Sequence, residues 1–189
     1  PGLPMNPVFI LEEKYSGKAT RDKLERLRRQ IKAQGCTHII LNSLDQIAWL
    51  FNIRCHDIPY NPVFTGYGIA GKDEMLLFVD KSKLPQELAI QLERDKVVLK
   101  DYDAFTSWLK SYRGKKVLVD PATAGYAAYG ALIAENNLVE GTSLIAMMKA
   151  RKNKTELDGF RESMKKDGVA LVEFLFWLRE NVEKGSETE

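Results

Sequence analysis

The chain has 189 residues, with 28 Lys+Arg against 26 Asp+Glu, and the resulting formal charge of +2 supplies no strong field for nucleic acid or an anionic membrane. That length suits one α/β domain with an appendage and leaves two full domains cramped. Two cysteines, Cys36 and Cys55, are too few and too far apart for a disulfide framework or a zinc site, so free thiols in a reducing, cytoplasmic setting are expected. No apolar run approaches the ~18 residues of a membrane span, and the opening PGLPMNPVFILEEK lacks the basic-then-apolar order of a signal peptide. A start on Pro without an initiator Met reads as the interior of a longer polypeptide.

In chain order, residues 20–34 predict an amphipathic helix, with Leu24, Leu27 and Ile31 on one face and Gly35 placed to end it in the left-handed conformation. THIILN, 37–42, is β-branched and apolar, as a strand covered on both faces should be. A helix over 44–51 follows, then a shaped loop over 52–62, in which Ile58 before Pro59 and Asn61 before Pro62 are pushed toward extended geometry. Strands over 63–70 and 75–80, joined by Gly71, Lys72 and Asp73, read as a hairpin. Helices are expected over 84–94, 104–112 and 123–136, alternating with strands over 97–102, 116–120 and 138–140. The order implies α/β class: a mixed β-sheet flanked by helices.

The last segment behaves differently. From Asn153, which forms a capping box with Glu156, the pattern runs as helix to about Lys184, where Gly185 stops it. Leu157, Phe160, Met164, Leu171, Leu175, Leu178 and Val182 recur three or four apart but for one gap, and Phe174, Phe176 and Trp177 widen the apolar surface beyond one stripe. Such a helix, about 45 Å long, implies a partner that covers it: more of the same polypeptide, or another chain.

The most informative stretch is LDQIAWLFNIRCHDIPYNPVF, 44–64, which resembles the middle domain of the three-domain Xaa-Pro aminopeptidases (aminopeptidase P), in the creatinase and prolidase group. There a segment of the form LDEIAWLFNLRG followed by NPVF occupies this place, matched here by Leu44, Asp45, Ile47 to Asn52, Arg54 and Asn61 to Phe64. Cys55 departs from it, standing where relatives carry glycine. Further matches in order are PxFxLxxxYxG from Pro7 to Gly17, Lys23 to Arg28, SLIAMMKARKN from Ser143, and the helix ending VEKGSETE. The resemblance implies the creatinase N-terminal fold with a sheet of roughly five or six strands. It also implies a division into an N-terminal extension or interdomain linker over 1–19, the α/β domain over 20–152, and the first helix of a truncated pita-bread catalytic domain over 153–189.

Candidate chemistry is weighed against packing. GYGIAG, 66–71, fits GxGxxG, yet lies inside a strand and hairpin turn rather than between a strand and a helix, so dinucleotide binding is rejected. His38 sits in an apolar strand. Cys55, His56 and Asp57 are consecutive in a loop, offer no recurring metal-ligand spacing, and read as loop hydrogen-bonding residues. The family's two manganese-class ions and its ligands, two aspartates, a histidine and two glutamates, belong to the catalytic domain, whose motifs do not occur here. No catalytic, cofactor-binding or metal-binding residue is therefore expected in this chain.

Two readings of the 44–64 segment stand side by side. In one, Trp49, Phe51, Arg54 and Asn61 shape the substrate cleft or an interface, Trp and Arg being types enriched at contact hot spots. In the other, Trp49 and Phe51 are core residues and Arg54 ties down its own loop. Phe174, Phe176 and Trp177 are candidate contacts to the missing catalytic domain. The function expected is that of a non-catalytic middle domain of a cytoplasmic Xaa-Pro aminopeptidase, with the rest of the polypeptide or a homodimer mate as partner, a peptide substrate only in the parent, and no nucleic acid or membrane. The alternative is a stand-alone interaction module using the C-terminal helix.

Overall fold

The computed structural model describes residues 2–182. The elements run β1 (Phe9–Ile10), α1 (Glu13–Ser16), α2 (Thr20–Ala33), β2 (His38–Leu41), α3 (Leu44–Phe51), β3 (Ile53–Arg54), β4 (Tyr67–Gly71) and β5 (Met75–Phe78). A 3-10 turn (Lys81–Lys83) precedes α4 (Gln86–Arg94), β6 (Val98–Lys100), α5 (Ala104–Ser111), β7 (Lys116–Val119), α6 (Tyr126–Ile133), β8 (Asn137–Glu140), α7 (Leu144–Ala150) and α8 (Lys154–Asn181). The chain divides into two compact units, residues 1–151 and 152–189.

In the first unit six strands form one mixed sheet in the order β6-β5-β4-β2-β7-β8. Only β4 runs against its neighbours; β2, β7 and β8 pair in parallel, as do β5 and β6. Strand β2 is buried along its length because its alternate residues serve two cores. Ile39 and Leu41 join Leu24, Leu27, Ile31, Ile47, Leu50, Leu88 and Ile145 on the face covered by α2, α3, α4 and α7, whereas Ile40 joins Ile69, Phe105, Leu109 and Leu132 under α5 and α6. Tyr67 stacks on Phe105 with ring centroids 4.1 Å apart, closing the second core toward β4. The glycines of β4 are explained by tight packing: a Cβ on Gly68 would lie 2.8 Å from Leu41 Cδ1, and one on Gly71 the same distance from the His38 ring. Close approach is thus the reason for glycine here, mostly by side chains rather than by backbone.

Three differences from the sequence reading matter. The 52–62 loop is not wholly irregular, since β3 pairs antiparallel with β1, Phe9 opposite Arg54 and Ile10 opposite Ile53. Residues 7–10 are drawn in with it: Val8 is 2% exposed and its N–H donates to Lys83 O at 3.0 Å. The SLIAMMKA segment is helix α7, capped by Ser143, whose side chain accepts from Ala146 N. The helix expected over 123–136 is shorter, beginning only at Tyr126 after a turn in which Asp120 O accepts from Thr123 and Ala124 N–H.

The second unit contains α8, which opens with the expected capping box: Glu156 N–H donates to Asn153 Oδ1 at 2.9 Å, and Asn153 N–H to Glu156 Oε2 at 2.8 Å. None of its described residues is buried; Phe174, Phe176 and Trp177 are 51%, 62% and 43% exposed. Phe174 and Trp177, one turn apart, stack at 6.1 Å. The stop expected at Gly185 lies outside the described residues. No described helix is long and apolar enough to cross a membrane.

Candidate functional site

A helix end leaves its last carbonyls without intrahelical donors, and the site is built around how α3 meets that need. Asn52 adopts the left-handed conformation (φ 54°) and closes the helix. Around it three side chains bring donors to three carbonyls of the last turn. Arg54 Nη1 donates to Ala48 O at 2.8 Å, Lys23 Nζ to Trp49 O at 2.7 Å, and Thr20 Oγ1 to Phe51 O at 3.0 Å. Lys23 also donates to Asn52 Oδ1 at 2.6 Å and lies 4.2 Å from the centre of the Trp49 ring, a cation–π contact. Two cations at the negative end of the helix dipole add electrostatic support. The N-terminal segment completes the collar, Leu11 N–H donating to Asn52 O at 2.8 Å.

The other end of α3 is tied to α7. Gln46 Oε1 accepts from Ser143 Oγ at 2.5 Å in a buried contact, and Asp45 pairs with Lys149. Asp120, at the end of β7, accepts from Ser143 N–H at 2.8 Å. The acidic and amide residues of LDQ thus fasten the helix that leads out of the first unit.

Beyond β3 the loop is organised by Asp57. Its Oδ2 accepts from Thr65 N–H at 2.8 Å, from Thr65 Oγ1 at 3.0 Å and from Lys83 Nζ, and the two charged side chains are 0% and 1% exposed. Lys83 also donates to Pro4 O at 3.2 Å. Burial works to raise the Asp57 pKa, but the hydrogen bonds from Lys83, Thr65 and Cys55 outweigh it and hold the carboxyl below its ordinary value. Cys55 is fully buried with Sγ 3.2 Å from both Asn6 O and Asp57 Oδ1, and burial followed by the Asp57 contacts pushes its thiol up, so it is no ready nucleophile. His56 is exposed, its ring 5.5 Å from Phe9 and its carbonyl accepting from Asn6 Nδ2.

The residues singled out from sequence are therefore placed as follows. Trp49 and Phe51, 9% and 1% exposed, lie in the core, and Arg54 folds back on α3 and on its own Ile53 O at 2.9 Å. Asn61 is exposed and bonds within its own turn, its N–H to Ile58 O at 3.1 Å. The structure brings Trp49, Phe51 and Arg54 together at one helix end and leaves Asn61 beyond the Asp57 node. Sequence reasoning missed Lys23, Thr20, Asp45 and Gln46. A signal existed for the first two: Thr20, Lys23, Leu24, Leu27 and Ile31 fall on one stripe of α2, and a lysine on an inward stripe needs buried partners.

A second polar cluster lies at the opposite end of β2, where Cys36, Thr37, His38, Glu74 and Lys115 line a pocket of about 380 Å³. His38 Nε2 donates to Glu74 Oε1 at 2.7 Å, Tyr112 donates to the same oxygen at 2.5 Å, and the two rings meet edge to face at 5.3 Å. Burial pulls the His38 pKa below 6.5 despite the support of Glu74 for the charged form. Below 6.5 the unfolded chain then binds more protons than the folded one, so stability falls as pH drops from 6.5 toward the folded pKa and no further beneath it. An NMR titration should place the His38 midpoint under 6.5, and Glu74→Gln should move it lower still; a midpoint at or above 6.5 contradicts the assignment. Among the described residues no group of three or more His, Cys, Asp or Glu could hold a metal ion.

A six-stranded mixed sheet with one internal antiparallel strand and a hydrophobic core on each face defines an α/β domain. A profile of the creatinase/prolidase N-terminal domain matches residues 1–156, and the chain belongs to that family. It is 37% identical to Xaa-Pro aminopeptidase 1 of Dictyostelium discoideum over 191 residues, covering 100% of this chain and 30% of that protein. A probable Xaa-Pro aminopeptidase P of Laccaria bicolor is 39% identical, over 98% of this chain and 29% of the relative. The crystal structure of X-prolyl aminopeptidase from Caenorhabditis elegans, a cytosolic enzyme with a di-nuclear active site, superimposes with a TM-score of 0.86 and 34% identity over 98% of this chain and 31% of that one. The chain thus spans about a third of the length of these relatives and matches the creatinase/prolidase N-terminal domain.

Proposed function

We propose that the chain serves as the scaffold domain of a cytoplasmic Xaa-Pro aminopeptidase, an enzyme that removes the residue before an N-terminal proline. The parent's two divalent, manganese-class ions would be held in a catalytic portion outside this sequence. In this reading residues 1–19 link to what precedes, 20–152 form the domain proper, and 153–189 open the catalytic portion, with Phe174, Phe176 and Trp177 facing it. Trp49, Phe51, Arg54 and Asn61 belong to the segment that supports the peptide cleft or an interface beside it. The observation that carries the reading is the 34% identity and 0.86 TM-score to X-prolyl aminopeptidase across 98% of the chain.

The full-length polypeptide should cleave an N-terminal Xaa-Pro peptide in a chelator-sensitive manner, and no such cleavage would overturn the proposal. In the same polypeptide Arg54→Ala separates two roles for the arginine. A cleft contact lowers the specific activity of correctly folded protein, whereas a capping role lowers folded yield and leaves specific activity intact. A second reading, a stand-alone interaction module, draws on the exposed apolar residues of α8. It gains only if the full-length polypeptide proves inactive.

A further inference from the structure

Three described non-glycine residues hold a positive φ: Asn52 at 54°, Tyr60 at 62° and Lys96 at 60°. Asn52 and Lys96 have local reasons. Each follows a helix that its left-handed backbone closes, Lys96 N–H donating to Glu93 O and Val97 N–H to Leu92 O, both at 2.9 Å. Tyr60 follows no helix. With Pro59 before it and Asn61 N–H bonded to Ile58 O at 3.1 Å, it occupies the third position of a turn with the type II signature, where glycine or asparagine is the unstrained choice. A bulky aromatic in that conformation is strained.

Nothing in the fold needs the ring, which is 107% exposed. Nor is its mount loose, because Asp57 N–H donates to Val63 O at 3.4 Å, Val63 N–H to Asn61 O at 2.8 Å, and the Asp57 carboxylate is locked by Lys83 and Thr65. Meanwhile Trp49 and Phe51 are in the core and Arg54 caps a helix. The aromatic that this segment presents to solvent is Tyr60, a residue type common at contact hot spots because it offers a rigid apolar ring with one hydrogen-bonding tip.

We propose that Tyr60 is a docking anchor, inserting into the portion of the parent polypeptide that relatives carry beyond the region shared with this chain. That occupant fits because this chain makes up only 29–31% of the relatives' length, so most of each relative lies beyond the shared region. The inference rests on the scaffold reading above, yet can fail while that reading holds.

The test is thiol labelling of the full-length polypeptide. Tyr60→Cys should react with a maleimide about tenfold or more slowly than Lys72→Cys in the exposed β4–β5 turn, with wild type subtracted as background. Equal rates overturn the proposal. So does protection that disappears on dilution to monomer, which assigns the contact to a second copy, or protection that appears only with added Xaa-Pro peptide. If Tyr60→Cys does not fold, tyrosine nitration of the wild-type polypeptide gives the same answer: Tyr60 should be modified more slowly than the exposed Tyr15 and Tyr126, and nitration at their rate overturns the assignment. Chelator-sensitive cleavage measured on the same preparation tells failure of the anchor from failure of the scaffold reading.

Discussion

Replacing Lys83 by methionine should lower the unfolding free energy by about 3–5 kcal/mol, read by urea titration, because it strands a buried carboxylate. Both charged groups are out of water, and Asp57 has organised its remaining hydrogen bonds, from Thr65 and Cys55, around a negative charge. Taking one charge away removes the attraction and leaves the desolvation. The double replacement Asp57→Leu with Lys83→Met should cost less than the single change, since neither ion is then buried. A single substitution that costs under about 1 kcal/mol would mean that the pair is hydrated in solution. The pH response follows from the same pair. The folded pKa of Asp57 lies below its ordinary 3.8, so its contribution is present above that value and is lost as pH falls through the folded pKa. In Lys83→Met, where burial acts on Asp57 without the ammonium, the deficit against wild type should shrink as pH falls and the stranded carboxylate takes up a proton.

Lys23→Ala should cost about 2–5 kcal/mol, since it deprives Trp49 O and Asn52 Oδ1 of a donor and leaves a void beneath the Trp49 ring. Lys23→Met refills most of the volume without the ammonium, so the difference between the two variants apportions packing and hydrogen bonding. Trp fluorescence and far-UV circular dichroism should report one coincident transition, because the capped helix end is part of the main core. If Lys23→Met proves as stable as wild type, the cap contributes through the aliphatic stem alone.

The large elements were legible in the sequence for a physical reason: burial writes periodicity. Leu24, Leu27 and Ile31 mark the inward face of α2, and the unbroken HIIL of β2 marks a strand covered on both sides. Elements without a period were not legible. β1 and β3 are two residues each and exist only because each supplies the other's partner, Phe9 to Arg54 across the chain. Helix α7 is seven residues long, LIAMMKA, and its apolar stretch is too short for its spacing to tell helix from strand. At the site, the apolar positions of α3 announced a packed helix, and Trp49 and Phe51 are in the core. The role of Lys23 could not be read locally, because its acceptors lie 26 and 29 residues further on. Tyr60 was invisible for a different reason: Ile-Pro-Tyr-Asn looks like an extended loop until its backbone angle is known.

The threading of the first residues beneath the loop bears on how the polypeptide can be subdivided. A shortened version beginning at Thr20 would strip Lys83 of the Pro4 carbonyl, remove the donor on Asn52 O, and leave β3 as an orphan edge. Residues 4–11 are a packed part of the first unit. Any excision that treats it as dispensable would unseat the collar at the end of α3.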